Sequence, residues 1–508
     1  MHACVQAEAC LPDQLHFSCL ILLMSTVFLG KMVLGVLKQQ LKNMKYPAKA
    51  HASTVESHFV SKKLTATAEN SAFFIASATY KQYPYCDQSA PLRQNRYFHY
   101  LTGIDQISGA YVLYTLSSKK LTLFLPNVDK EDIMWSGLPL SPEEAMEKYD
   151  VDEVLYAKDV EGTLKSLTES KVDIYTTDVD EYTDLPFSNL VTSGDGDFFF
   201  ALDEARMIKD DFEISLMKHA AKITDNCHMA VMSALPVEHN ETHMHAEFVY
   251  HSIRQGSKFQ SYDPICCSGP SCGTLHYVKN DDPMDGKTSV LIDAGAEWQC
   301  YASDVTRCFP ITGKFSEEHL NIYLAVKDMQ TQVMEKIKPG VLWDDLHFLS
   351  HKVLIKHFVK LGLFHNGTEE DIFNSKVSAW FYPHGLGHLL GMDTHDVGGC
   401  PNYEDENILL RYLRLRRKLQ KGMVVTDEPG IYFSPFLIEN ITEEQRKYVN
   451  MELVEKYMYV GGVRIEDDIL VTEDGYENFT GITSDPQEIE RIVQNGLKKG
   501  KGGFHVIA

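Results

Sequence analysis

Apolar positions along the chain recur at two different periods. Ile208, Phe212, Leu216, Ala220, Ile223, Cys227 and Val231 return every three or four residues with charges between them, which predicts one long amphipathic helix. The short apolar runs Ala72–Ala76, Tyr111–Tyr114 and Leu121–Leu125 predict strands, and Pro142-Glu143-Glu144 opens an amphipathic helix. Val290-Leu291-Ile292 reads as a buried strand ending on Asp293, and Val463–Asp468 as one alternating strand with Glu466 on a face. Helix and strand signals intermingle, so the fold class is α/β (α+β). A polar, glycine-rich break at Ser193-Gly194-Asp195-Gly196-Asp197 separates an N-terminal domain, 45–197, from a second domain, 198–485. Residues 486–508 read as a tail, with Lys498-Lys499-Gly500-Lys501 a solvated end. A length of 508 residues suits two domains.

Residues 1–44 differ from the rest. Leu20–Leu29 is apolar, Lys31 interrupts, and Val33–Leu37 resumes. A membrane span needs about 20 apolar residues, a length reached here only by including Lys31. Glu8 and Asp13 precede the apolar run, and no Lys or Arg occurs before Lys31, so the basic start of a signal peptide is missing. The expectation is a poorly ordered extension, or a start at Met32. An anchor or a secretion signal is the minority alternative.

Composition narrows the function classes. A net charge of −23 argues against a nucleic-acid partner, which requires a basic face. The eleven cysteines are odd in number and form no CxxC pair, so reduced thiols and a cytoplasmic location are expected.

The chemistry lies in five short motifs in the C-terminal half: Ile292-Asp293-Ala294-Gly295, Ser303-Asp304-Val305-Thr306-Arg307, His384-Gly385-Leu386-Gly387-His388, Asp427-Glu428-Pro429-Gly430, and Arg464-Ile465-Glu466-Asp467-Asp468. Asp304 follows Asp293 by eleven residues, and a hairpin return would bring both carboxylates to one point. Each motif alone has a plainer reading as a strand end, a turn or an ion pair. Together, Asp293, Asp304, His388, Glu428 and Glu466 offer four carboxylates and one imidazole. Four converging carboxylates in an interior would repel and resist desolvation unless cations compensate them. Oxygen-rich ligation with one imidazole suits Mn²⁺, Co²⁺ or Zn²⁺, and two such ions can supply a hydroxide and polarise a carbonyl. The reaction class implied is metal-assisted hydrolysis.

The ordered set IDAGA, SDVTR, HGLGH, DEPGIY and VRIEDD resembles the pita-bread metallopeptidases, the group of methionine aminopeptidase, prolidase and Xaa-Pro aminopeptidase. The resemblance is strongest to the proline-specific members, fungal Xaa-Pro aminopeptidase sequences among them, and runs from about Lys45 to Ile482. It implies a C-terminal pita-bread domain behind a non-catalytic N-terminal domain, where Leu92–Gly103 resembles the RQxxxFxYLTG signature. It also implies that Asp304 and Glu466 bridge two divalent metals, that Asp293 completes one, and that His388 and Glu428 complete the other. Mn²⁺ is the expected metal. By the same resemblance, His276 and His395 contact substrate, His384 acts beside them, and Glu428 doubles as proton acceptor. Arg464 orients the carboxylates, unless it is an ordinary salt bridge.

Proline-containing peptides are the implied substrates, no membrane partner is expected, and the implied oligomer is a homodimer. Leu410–Arg417 resembles the LRxLR stretch of prolidase, in which Arg414 would grip a free carboxylate. If Arg414 enters the cleft, dipeptides are favoured; if not, longer peptides. The reading is therefore an Xaa-Pro aminopeptidase, with Xaa-Pro dipeptidase (prolidase) as alternative and a metal-free or non-catalytic binding protein as remote rival. Asp427 stands where an apolar residue is usual and Cys308 where Thr is common. Asp427 is expected to face away from the metals and to alter the pH optimum.

Overall fold

The computed structural model describes residues 44–63, 67, 69–177, 185–500 and 503. Residues 1–43, with the apolar run and its anchor or signal readings, lie outside them. Among the described residues no helix is long and apolar enough to cross a membrane.

The N-terminal half builds a five-stranded sheet. β1 (Ser71–Ala76), β2 (Tyr111–Thr115), β3 (Lys120–Leu125), β4 (Glu153–Tyr156) and β5 (Asp173–Tyr175) lie in the order β4-β3-β2-β1-β5. β1, β2 and β3 pair antiparallel, while β4 and β5 add parallel at the edges. β1 is buried along its whole length because both faces are covered. Phe73 and Ile75 pack on the helix Ala48–Lys62, while Ala72 and Phe74 face Val160 and Leu164 of the helix Val160–Glu169.

The long helix expected over Ile208–Val231 forms as Asp211–Ala234, leaving only Ile208 outside it, and a separate helix, Gly196–Met207, precedes it. Asp210 divides them: its carboxylate accepts from Glu213 N–H at 2.9 Å, and Glu213 reaches back to Asp210 N–H at 2.9 Å. This reciprocal cap satisfies donors that a continuous helix would not leave free. Ile208 falls in the break. The helix Gly196–Met207 packs Phe198, Ala201, Leu202 and Ala205 into the same core as β1 and the helix Ala48–Lys62.

Downstream, β6 (Ile265–Ser268), β7 (Ser289–Asp293) and β8 (Thr306–Pro310) form an antiparallel sheet. β9 (Val424–Asp427), β12 (Asp467–Val471) and β13 (Tyr476–Asn478) form a second, and β10 (Gly430–Tyr432) pairs with β11 (Gly462–Arg464). The strand expected over Val463–Asp468 is thus two short strands in different sheets, and the chain crosses between them at Ile465 and Glu466. Arg464 and Glu466 do not share a face of one strand. Gln330 makes the crossing tolerable: its amide donates to the freed carbonyls of Asp427 (3.0 Å) and Ile465 (3.3 Å). Residues expected as tail form the helix Pro486–Lys499, which buries Ile489 and Val493 in the main core while Lys498 and Lys499 are exposed.

The Phe198 ring stacks on Phe73 with centroids 4.8 Å apart and is fully buried. Phe198→Ala should therefore cost about 3–5 kcal/mol. Chemical denaturation followed by far-UV circular dichroism checks this through a lower midpoint for the first transition.

Candidate active site

Two glycines let the motif arms meet. The antiparallel register sets Asp293, the last residue of β7, opposite Thr306, and Asp304 lies in the connection just before β8. A Cβ on Gly295 would sit 1.6 Å from Ser303 O, so only glycine permits this return. Asp468 anchors the same turn, accepting from Ser303 Oγ at 2.7 Å and Asp304 N–H at 3.0 Å. His388 lies on an extended segment beside β9: Thr426 N–H donates to His388 O at 2.9 Å. A Cβ on Gly387 would be 2.0 Å from Thr426 O. Glu428 follows β9, its N–H bonded to Leu386 O at 2.9 Å, and Glu466 occupies the crossing between sheets.

All five side chains face one cleft of about 770 Å³. Ligand atoms of Asp304, His388 and Glu466 lie within 4.8 Å of one another. The Tyr262 hydroxyl lies 2.5 Å from both Asp293 Oδ1 and Asp304 Oδ1. His388 Nδ1 faces Leu389 O at 3.0 Å and donates to it. Its Nε2 is directed at Asp304 Oδ2 (3.4 Å) and Glu428 Oε1 (3.5 Å).

Burial, with the nearby Asp304, Glu428 and Asp293 charges, pushes the Glu466 carboxyl well above the carboxylate range. Glu428 rises to about 7, again chiefly through burial, although His388 and Arg464 oppose the shift. Burial likewise raises Asp293 against the pull of Arg464. At Asp304 burial also pushes upward, but the His388 hydrogen bond and charge outweigh it and hold the carboxyl low. Interior carboxylates that resist ionisation side by side fit a site for divalent cations, which would relieve both desolvation and repulsion. The donor set, oxygen-rich with one correctly oriented imidazole, agrees.

A buried network supports the cluster. Arg464 donates through Nη2 to Asp293 Oδ2 (2.5 Å), through Nη1 to Tyr432 Oη (2.7 Å) and through Nε to Thr306 Oγ1 (3.0 Å). The Thr306 hydroxyl in turn donates to Glu466 Oε2 at 2.6 Å. Arg464 therefore reaches Asp293 directly and Glu466 through a hydroxyl. His384 Nδ1 bonds Gly385 O (2.8 Å), which makes its Nε2 the acceptor for Tyr432 Oη (2.8 Å). Burial and then the Arg464 charge depress His384 to about 3, so it is neutral. Cys308, fully buried, donates its thiol to Arg464 O at 3.4 Å.

His395 also lines the cleft, edge-on to His388 with ring centroids 4.5 Å apart, and burial, then His388, lowers it to about 3. His276 is exposed at the cleft on a loop held by Glu241, which accepts from Ser268 Oγ (2.6 Å) and Tyr277 Oη (2.7 Å). Arg414 lines the cleft, and its Nη1 donates to Tyr403 Oη at 3.0 Å. Its neighbours are otherwise engaged: Arg416 pairs with Asp344 and Asp405, and Arg417 with Glu204.

The structure thus brings every sequence-predicted site residue to one cleft. It adds Tyr262, Thr306, Tyr432 and Asp468. The last three lie inside recognisable motifs. Tyr262, in Ser261-Tyr262-Asp263-Pro264, carries no sequence signal. Asp427 does not line the cleft. Its carboxyl is fully buried without a hydrogen-bond partner among the described residues, and burial holds it well above the usual range.

Residues 215–473 match the model of metallopeptidase family M24, and residues 58–175 match that of the aminopeptidase P N-terminal domain. The chain is 54% identical over 472 residues to an uncharacterized peptidase of Saccharomyces cerevisiae, covering 92% of this chain and 88% of that protein. It is 44% identical over 455 residues to a probable Xaa-Pro aminopeptidase of Botryotinia fuckeliana, covering 88% of this chain and 97% of the relative. Its fold is similar to that of Pseudomonas aeruginosa aminopeptidase PepP, with TM-score 0.73, 28% identity, and coverage of 89% of this chain and 99% of that one.

Arg464→Met should lower affinity for divalent cations by about 10–100-fold, because it strands Asp293 and loosens Glu466 through Thr306; isothermal titration of the metal-free variant measures the loss. Asp427→Val should raise the unfolding free energy by about 1–3 kcal/mol by removing a buried, unpaired acid, read as a higher denaturation midpoint of the metal-free protein.

Proposed function

The chain belongs to metallopeptidase family M24, and we propose that within it this protein is an Xaa-Pro aminopeptidase that releases an N-terminal residue preceding proline. The convergence of Asp293, Asp304, His388, Glu428 and Glu466 in one buried cleft carries this reading. Asp304 and Glu466 would bridge two divalent cations, most simply Mn²⁺, with Asp293 completing one site and His388 and Glu428 the other. When bound, the pair supplies a hydroxide nucleophile at neutral pH and polarises the scissile carbonyl.

The chain's own residues do the remaining work. Arg464 holds Asp293 and, through Thr306, Glu466, so the carboxylates keep their spacing. Glu428 stands between His384 and His388, where it is placed to take a proton from the attacking water. An X-Pro amide carries no N–H, so its nitrogen leaves as a secondary amine and must gain that proton. His395 and His276, both on the cleft wall, would hydrogen-bond the scissile carbonyl or the leaving nitrogen. Tyr432 and neutral His384 keep Arg464 in place.

The relatives' names favour an aminopeptidase, whereas Arg414 in the cleft favours a dipeptide whose carboxylate it would grip. Prolidase is therefore the second reading. The net charge of −23 stands against nucleic acid. Eight free cysteines among the described residues support a cytoplasmic protein, and the family resemblance supports a homodimer.

Metal-stripped protein should be inert, and Mn²⁺ should restore hydrolysis of Gly-Pro and Gly-Pro-Gly-Gly while Gly-Ala-Gly-Gly stays intact. Cleavage of Gly-Pro alone would establish prolidase, with Arg414→Ala raising KM for the dipeptide by about tenfold or more. Loss of all cleavage with metals bound would sink the enzymatic reading.

A further inference from the structure

His395 and Asp396 are neighbours that point to different environments. His395 faces the cleft and packs on His388. The Asp396 carboxylate is 1% exposed and accepts from Arg206 Nη2 at 2.8 Å and Lys209 Nζ at 2.7 Å. Both cations are buried too. They come from the end of the helix Gly196–Met207 and the turn after it, the helix that packs into the core of the N-terminal sheet. Arg206 Nη2 also holds Asp393 Oδ2 at 2.6 Å, and its guanidinium lies 4.9 Å from the Tyr97 ring centroid. Arg96 approaches Asp393 Oδ1 at 3.5 Å. The segment is shaped around this cluster: a Cβ on Gly391 would lie 2.2 Å from Asp396 Oδ2 and 2.9 Å from Lys209 Cε. Asp396 N–H then closes onto Leu389 O at 2.9 Å, next to His388.

We propose that Arg206, Lys209 and Asp396 are positioning residues for His395, through which the packing of the N-terminal domain sets the geometry of the cleft. The inference rests on the reading that His395 contacts an Xaa-Pro substrate. Asp396 cannot move toward solvent without taking from buried Lys209 its carboxylate partner and from buried Arg206 one of its two, so its neighbour His395 is held to one place. Arg206 is the longest-reaching member, because one guanidinium nitrogen binds both Asp393 and Asp396 while its plane lies beside Tyr97.

The test combines steady-state kinetics on Gly-Pro-Gly-Gly, or on Gly-Pro if only the dipeptide is cleaved, with hydrogen–deuterium exchange of the metal-free protein. The set is wild type, Arg206→Met, Arg206→Lys, Asp396→Asn, His395→Ala and the Asp396→Asn/His395→Ala double variant. Arg206→Met and Asp396→Asn should each lower kcat by about tenfold or more with KM changed far less, and Arg206→Lys should recover part of the loss. The double variant should be no slower than His395→Ala alone. Amide protection over residues 389–397 should fall in Arg206→Met while the β6–β8 sheet keeps its protection. Additive losses in the double variant, or unchanged kcat and unchanged protection in Arg206→Met, would overturn the proposal. An inactive wild type would count against the Xaa-Pro reading instead, and the exchange comparison would still decide the brace. Should Asp396→Asn fail to fold, the two Arg206 variants decide.

Discussion

Four carboxyl groups that cannot all ionise without help set the terms for the catalytic half of this protein. Asp293, Asp304, Glu428 and Glu466 are drawn into one buried cleft, where desolvation and mutual repulsion favour the neutral forms of Asp293, Glu428 and Glu466 while His388 holds Asp304 low. Among the described residues one arginine, Arg464, touches the cluster directly, at Asp293. The rest of the compensation would fall to divalent cations, as suits a metallopeptidase family member. A structure with such a cluster has to hold its acids rigidly, because any looseness would let them separate and hydrate. The short sheets, the close backbone approaches at Gly295 and Gly387, and the Gln330 clamp on the crossing strands all serve that requirement.

The support is arranged in two tiers. Hydroxyl groups and Arg464 act next to the acids: Tyr262 spans Asp293 and Asp304, and Thr306 relays Arg464 to Glu466. Farther out, buried ion clusters hold the loops that carry the cleft-lining histidines His276 and His395. Glu241 anchors the loop of His276, and Asp396 with Arg206 and Lys209 anchors that of His395. The second of these ties the cleft to the N-terminal half. The N-terminal half thereby gains a mechanical part in the site.

The candidate site was more legible than the strand layout. The candidate metal-ligand residues sit in short motifs whose glycines and turns leave a strong signature, and all ten sequence-predicted positions face the cleft. Strand boundaries failed where local pattern competed with capping and sheet switching. Ile208 matched the helical period, yet the Asp210–Glu213 cap starts that helix at Asp211 and leaves Ile208 outside it. Val463–Asp468 alternated as one strand, yet Glu466 occupies the gap between two sheets. Tyr262 could not be found from sequence, since a lone tyrosine before Asp-Pro matches no ligand spacing.

The amino-acid sequence by itself determined the types of the candidate ligands, their order, the turns that present them and the acidic balance that disfavours nucleic acid, because these depend on residue identity and local spacing. Tertiary structure alone decided which groups share a proton or a charge: the Arg464–Thr306–Glu466 relay, the Tyr432–His384 pair and the Arg206–Asp396 brace join residues far apart in the chain. It also decided that Asp427 is sealed in the core while Glu428, one residue later, faces the cleft. The reason is physical: ligand chemistry is a property of side chains, whereas desolvation and hydrogen-bond partnership are properties of the packed neighbourhood.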